Sequence, residues 1–350
     1  MKSAKPLGLL VEGVEAWNQW RRQNSQPAQS DWLTGTRINL REAPLRQAKL
    51  RQVNFAMVDG CMADLRYADL HRADLREALF YTADLSHAKL TAANLSGADF
   101  REVSLHDACL TAATLNAAVL TAADLTRANL REAQFRQADL RQASMNHADA
   151  CMAQFTEADL SWADLSGAIL YTSDFRKANL ASATLNQADL REVNFAMATL
   201  QDAVLHSADL TAAVGSIANM IGASFHRANL TIANLSLANL CMANLSRACL
   251  ESAILIGANL IGANFHHAYL RNANLENADL REAILCKADL RGTNLRCTNL
   301  KMANLAEANL QGADLRGADL TQANIWGANM KDVYLVDAAM PDGSLYDGVV

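Results

Sequence analysis

The chain has 350 residues, 51% of them hydrophobic and 19% charged, and a net charge of −6 at pH 7, which neither demands nor excludes a nucleic-acid partner. The apolar run Leu7 to Val11 is too short for a signal peptide and ends at Glu12, and no segment approaches the length of a membrane span. Seven cysteines are scattered at no paired spacing, which argues against a disulfide framework and for reduced thiols in a cytoplasmic protein.

In chain order, Leu7, Leu10, Val14, Trp17 and Arg21 follow a helical spacing, with Glu12 and Glu15 early and Arg21 and Arg22 late, as the helix dipole prefers. This predicts one helix over residues 6–23. Asn24 to Ser30 reads as a polar linker, and Trp32 to Ile38 as a degenerate first repeat. From Leu40 to Leu345 every fifth residue is large and apolar, with only Gly60, Ala150 and Gly215 departing. The residue two before is nearly always Ala, the one between mostly Asp or Asn, and two variable residues follow, as at Ala68-Asp69-Leu70 and Ala258-Asn259-Leu260. The expected organisation is an N-terminal helix and linker over 1–30, an A(D/N)LXX array over 31–345 and a tail over 346–350. None of the four prolines, at 6, 27, 44 and 341, lies between Pro44 and Pro341, as a sheet ladder requires.

A period of five fits neither regular element. On an α-helix the leucines would scatter around the axis, and on a flat strand they would alternate between core and solvent. What remains is a chain that runs extended for about three residues, Ala and Leu inward, then turns a corner in the two variable ones. Such coils must stack to bury their interiors, which gives an all-β solenoid. Spacing alone leaves the number of sides open, three or four. An open solenoid end exposes core and strand edges, so the N-terminal helix, through Leu10, Val14, Trp17 and Trp20, is the candidate cap; its rival role is partner docking.

The A(D/N)LXX array resembles the pentapeptide-repeat proteins over roughly residues 33 to 345. The leader, Val11 to Arg21, resembles those of bacterial members with a short N-terminal helical segment. The resemblance implies a right-handed four-sided (quadrilateral) parallel β-helix with twenty residues per coil, so that residue n stacks on n + 20. Phe135, Phe155, Phe175 and Phe195 then share an internal column, as do Phe80 and Phe100, and aromatic stacks should fill the core. Bulky rings are expected to lean into the space left by Gly60, directly before Phe80, and Gly215, directly after Phe195.

The chain carries no P-loop, G-x-G-x-x-G, H-E-x-x-H or G-x-S-x-G motif, and a solenoid offers flat walls, so neither enzymatic activity nor a cofactor is expected. His206 and His226 fall on adjacent rungs of one external column, with His266 and Cys286 further along and His267 beside them; a metal there would lack a third ligand. On the same column rule, Ile221, Cys241 and Ile261 form one outward column and Met197, Ile217 and Leu237 another. Both border the Asn219, Asn239, Asn259 column, with Met242 at the edge, and contiguous exposed apolar surface marks a protein interface.

The expected function is a rod-like protein–protein interaction scaffold, with other proteins as partners, no direct nucleic-acid or membrane binding, and dimerisation through coil ends left open. The runner-up comes from the resemblance: some family members bind DNA gyrase, and an acidic rod imitates DNA. Against it, Asp64, Asp69 and Asp74 are interleaved with Arg66 and Arg76, and only the far end, Asp332 to Asp347, is clearly acidic. A weaker signal recurs at 90 residues: Cys61-Met62-Ala63, Cys151-Met152-Ala153 and Cys241-Met242-Ala243 match, and Ala78 to Leu85 resembles Ala168 to Phe175. Ninety is not a multiple of twenty, so such copies are expected to face opposite sides.

Overall fold

The computed structural model describes residues 4–24 and 37–346. The expected linker and first repeat fall largely on residues outside these, as does most of the tail. The chain divides into two compact units, Met1–Ile169 and Leu170–Val350. The repeat pattern keeps its phase through that division, so no sequence signal marks it.

The N-terminal segment forms two helices, α1 (Ala4–Glu12) and α2 (Val14–Gln23), in place of the single helix expected. Gly13 between them has φ 124°, a conformation outside the helical region that glycine adopts without the penalty of a side chain.

The array is a right-handed four-sided parallel β-helix. Strands β1 (Ile38–Asn39) and β2 (Val58–Asp59) pair in parallel with Ile38 opposite Val58. The same offset of twenty continues as single bridges at every middle position, from Pro44↔Asp64 to Asp149↔Ile169 in the first unit and from Asp174↔Asn194 to Asp319↔Ala339 in the second. Four pentapeptides therefore complete each coil.

The backbone of one pentapeptide shows why the motif has its composition. In residues 63–67, the N–H groups of Leu65 and Tyr67 donate to the carbonyls of Asp84 and Ser86 in the next coil, and that of Asp64 donates to Ala43 in the previous one. The N–H of Ala68 closes a turn onto Leu65 at 3.0 Å. The N–H left over, on Arg66, is taken by the side chain of Asp64 at 3.2 Å. Asp or Asn is thus the residue that satisfies the one backbone donor the ladder and turn leave unmatched.

The second variable residue is left-handed throughout, as at Gln47 (φ 58°) and Tyr67 (φ 60°), while the first is not, the sign pattern of a type II turn. Such a conformation costs a non-glycine residue about 1–2 kcal/mol, offset here by an N–H bond to the next coil.

In the interior coils both inward columns are buried, including Ala150 in place of a leucine. Within the first unit Phe80 stacks on Phe100 at 5.5 Å and Phe135 on Phe155 at 4.9 Å; within the second, Phe175 lies 5.3 Å from Phe195, tilted by 34°. Where Ser173 and Thr298 replace the inward alanine, each hydroxyl donates to the carbonyl three residues back, so neither buried hydroxyl is left without a partner.

Gly60 accommodates the Phe80 ring as expected, but Gly215 does not receive Phe195. The atoms nearest to where its Cβ would stand are Leu235 Cδ2 at 2.8 Å and Met220 Cε at 2.9 Å. At Gly60 too the filling side chain comes from the following coil, which is why Leu235, twenty residues on, takes the space at Gly215.

Candidate functional site

The first coil shows how the chain closes its leading edge. In an interior coil, Asp74 donates its N–H to Val53 at 2.9 Å, while its carbonyl and that of Arg76 accept from Phe55 and Met57 of the preceding coil. One coil earlier the equivalent three groups belong to Asn54 and Ala56, and α2 supplies their partners. Asn18 Oδ1 accepts the Asn54 N–H at 2.8 Å, Trp17 Nε1 donates to the Asn54 carbonyl at 2.7 Å, and Arg21 donates to the Ala56 carbonyl at 2.6 Å. Asn18 Nδ2 also reaches the Gln52 carbonyl at 2.8 Å, so its amide stands in for a peptide group of a neighbouring strand.

Trp17 is fully buried, edge-on to Phe55 at 5.5 Å, with Trp20 5.7 Å away. Of the four candidate cap residues, Trp17 alone is fully buried and bonds the edge of the first coil, while Leu10, Val14 and Trp20 are half-buried. Asn18 was not singled out by sequence, because its role depends on residues 34 and 36 positions away. Pro44 lies on this edge also, where the register would send an N–H to residue 23 of α2, so its missing donor is not needed.

At the far end a hairpin turns back through Gly343 (φ 86°). Ala339 pairs antiparallel with Leu345, and the Tyr346 N–H donates to Ala338 at 2.8 Å. In the last coil the central residues Ile325, Met330, Leu335 and Met340 are half-buried, where their counterparts in interior coils are buried.

The outward apolar residues separate by position in the turn. Met197, Ile217 and Leu237, all left-handed, are 50%, 59% and 61% exposed, and Met242 is 65% exposed. Ile221, Cys241 and Ile261, at the first position of their turns, are half-buried, whereas Met197, Ile217, Leu237 and Met242 occupy the left-handed second position. Ile256 adds to the Leu237 edge, and the Leu237 N–H donates to its carbonyl. Between the two corners runs the Asn ladder, with Asn259 Nδ2 donating to Asn239 Oδ1 at 3.0 Å.

The histidine column is a set of hydrogen-bonded pairs. His206 and His226 meet at 5.8 Å between ring centroids, but His206 Nε2 is bonded to Ser224 at 2.8 Å and His226 Nδ1 to Ser246 at 2.9 Å. Burial and the Arg227 charge lower the His226 pKa below 6.5. His266 Nδ1 lies 2.9 Å from Cys286 Sγ, with the His267 ring 4.2 Å from that of His266. Among the described residues no group of three or more His, Cys, Asp or Glu is placed to hold a metal ion. No described helix is long and apolar enough to cross a membrane.

Charge along the walls is paired locally. Arg66, Arg76, Arg101, Arg191, Arg281 and Arg316 each fold back onto the Asp two residues before, at 2.5–2.7 Å. The Arg66 guanidinium holds the Asp64 carboxyl at about 2, below its ordinary 3.8. Two tyrosines join this network in the same way. Tyr81 donates to Glu102 at 3.2 Å under the Arg101 guanidinium at 5.5 Å, and Tyr171 donates to Glu192 at 3.2 Å under Arg191 at 5.5 Å. The neighbouring carboxylate raises the pKa of each phenol above 10.

No curated protein matches the chain. Among solved structures it is similar to HetL, a pentapeptide repeat protein involved in heterocyst differentiation regulation from the cyanobacterium Nostoc sp. strain PCC 7120. The identity is 33%, covering 71% of this chain and 93% of that one, with a TM-score of 0.27. It is also similar to QnrB1, a plasmid-mediated fluoroquinolone resistance protein, at 20% identity, covering 60% and 87%, with a TM-score of 0.34. A third is the pentapeptide repeat protein Rfr23 from the cyanobacterium Cyanothece 51142, at 30% identity, covering 41% and 64%, with a TM-score of 0.12. The family model described as pentapeptide repeats (8 copies) matches in segments running from 43 to 116, 118 to 211 and 218 to 337. Matched over well more than half of its length, and folded with the twenty-residue register of that repeat, the chain belongs to the pentapeptide repeat family.

Proposed function

We propose that the chain is a non-enzymatic protein-interaction scaffold whose second unit docks a protein partner on the corner formed by Met197, Ile217 and Leu237. The half-buried Ile221, Cys241 and Ile261 and the exposed Met242 form the other border of that surface. The observation that carries this reading is Ile217. It is a β-branched residue held at φ 62° and 59% exposed, so neither the core nor the backbone favours isoleucine there. Strain retained at an exposed apolar site points to a binding role. Among the described residues, the outward-facing walls supply no convergent acid, base or nucleophile in a water-excluding cleft, which supports a scaffold over an enzyme.

Affinity capture from a native extract tests it, comparing the wild type with an Ile217→Asp, Leu237→Asp variant by quantitative mass spectrometry. A partner lost only from the variant supports the reading; identical captured sets overturn it. Aspartate tolerates the left-handed conformation, so the variant should fold. Imitation of DNA toward gyrase is the runner-up, and the local Arg–Asp pairing weighs against it by removing the sustained negative potential it needs. Gyrase supercoiling unaffected by the purified chain would close that alternative. The half-buried central residues of the last coil favour a homodimer through coil ends, testable by the mass of the particle in solution before and after Met330→Lys. The seven free cysteines support a cytoplasmic location.

A further inference from the structure

The 90-residue echo is concentrated on one corner. Its five successive pairs of turn residues, Arg41-Glu42, Cys61-Met62, Tyr81-Thr82, Arg101-Glu102 and Thr121-Ala122, recur unchanged as Arg131-Glu132, Cys151-Met152, Tyr171-Thr172, Arg191-Glu192 and Thr211-Ala212. Of the twelve other turn pairs between residues 46 and 117, only Arg46-Gln47 and Arg51-Gln52 recur. Turn pairs are the positions the fold leaves variable, so a duplication followed by free drift would have spread the matches over all four corners.

The structure shows what is retained. In the first unit, Tyr81 packs under Arg101 and donates to Glu102 at 3.2 Å, while Arg101 grips Asp99 through two bonds of 2.8 and 2.5 Å. In the second unit, Tyr171 packs under Arg191 and donates to Glu192 at 3.2 Å, and Arg191 grips Asp189 at 2.7 and 2.6 Å. Thr82 and Thr172, β-branched at φ 52° and 55°, each bond the preceding tyrosine carbonyl at 2.8 Å. The two clusters are the same to within 0.1 Å in each of these bonds. In both, the arginine and aspartate neutralise each other, and the glutamate is exposed with one oxygen committed to the phenol. Among the described residues neither Glu102 nor Glu192 has an ion-pair partner.

We infer that these clusters are two equivalent docking sites for a basic peptide segment of a protein partner, one site on each unit. A lysine or arginine of that segment pairs with Glu102 or Glu192 while its stem lies along the exposed tyrosine ring, a combination of charge and aromatic surface that each site presents. The next occurrence at the same spacing has diverged: Ile261-Gly262 replaces Tyr-Thr, leaving Arg281-Glu282 without its phenol. That third position joins the apolar surface described above and serves as an internal control.

The inference rests on the scaffold reading but uses different residues, so the two fail separately. A random peptide library displayed on phage is selected on the full chain, and a selected peptide is then titrated by calorimetry. The expected result is enrichment of basic peptides that bind at two equivalent sites. Glu102→Gln or Glu192→Gln should each remove one site and the pair both, whereas Glu282→Gln and the Ile217→Asp, Leu237→Asp variant change nothing. No enrichment of basic peptides, equal selection on the Glu102→Gln, Glu192→Gln variant, or an equal loss with Glu282→Gln would overturn it.

Discussion

The ring of Phe80 occupies the space where a Cβ on Gly60 would stand, with Cδ1 at 2.8 Å and Cζ at 3.0 Å from that position. Neither residue is at a turn, and both lie in the internal column that stacks one coil on the next. Gly60→Ala must therefore displace a ring already stacked on Phe100, which costs about 1–3 kcal/mol as overpacking. Thermal unfolding should show the loss, and Phe80→Leu in the same chain should restore most of it. At Gly215 the nearest atoms are the flexible ends of Leu235 and Met220, so Gly215→Ala should cost less than Gly60→Ala.

Removing the strand-mimicking amide should open the leading edge. Asn18→Ala leaves the Asn54 N–H without its acceptor, at about 1–3 kcal/mol if the group stays dry. Hydrogen exchange is the direct reading. The Asn54 amide should exchange faster in the variant, while that of Asp74, bonded to Val53, should keep its rate.

Acid should weaken the walls in a defined window. Asp64 is held at about 2 by Arg66, below the ordinary carboxylate range, so its contribution is complete above about pH 4 and disappears as the pH falls through 2. Asp64→Asn keeps an acceptor for the Arg66 N–H and removes the charge. The difference in melting temperature between wild type and variant should be constant near neutrality and vanish at the acid end; a difference that persists below pH 2 would show that the ion pair is not its source.

Ile217 should be replaceable with a gain in stability. Ile217→Asn places a residue that tolerates the left-handed region at φ 62° and should stabilise the second unit by about 0.5–1 kcal/mol, visible as a raised melting temperature. The same change at the core-facing Met220 should destabilise, since it would bury an amide without partners.

The five-residue period determined the solenoid, its two inward columns, the outward sites of its turn residues and, through the motif, the family. That much is legible because the pattern is one-dimensional: each residue's side of the wall follows from its place in the pentapeptide. Tertiary structure decided the rest. The role of Asn18 depends on a strand edge 36 residues away, and the filling of Gly215 depends on which neighbouring side chain leans across a coil. The break at Gly13 is a backbone choice that helical periodicity does not register, because the apolar spacing continues through it. The separation of projecting Ile217 from half-buried Ile221 follows from the left-handed geometry of one turn residue and not the other, a difference of backbone angle rather than of residue type. Sequence thus set which residues face outward, and the folded corner set how far each of them is exposed.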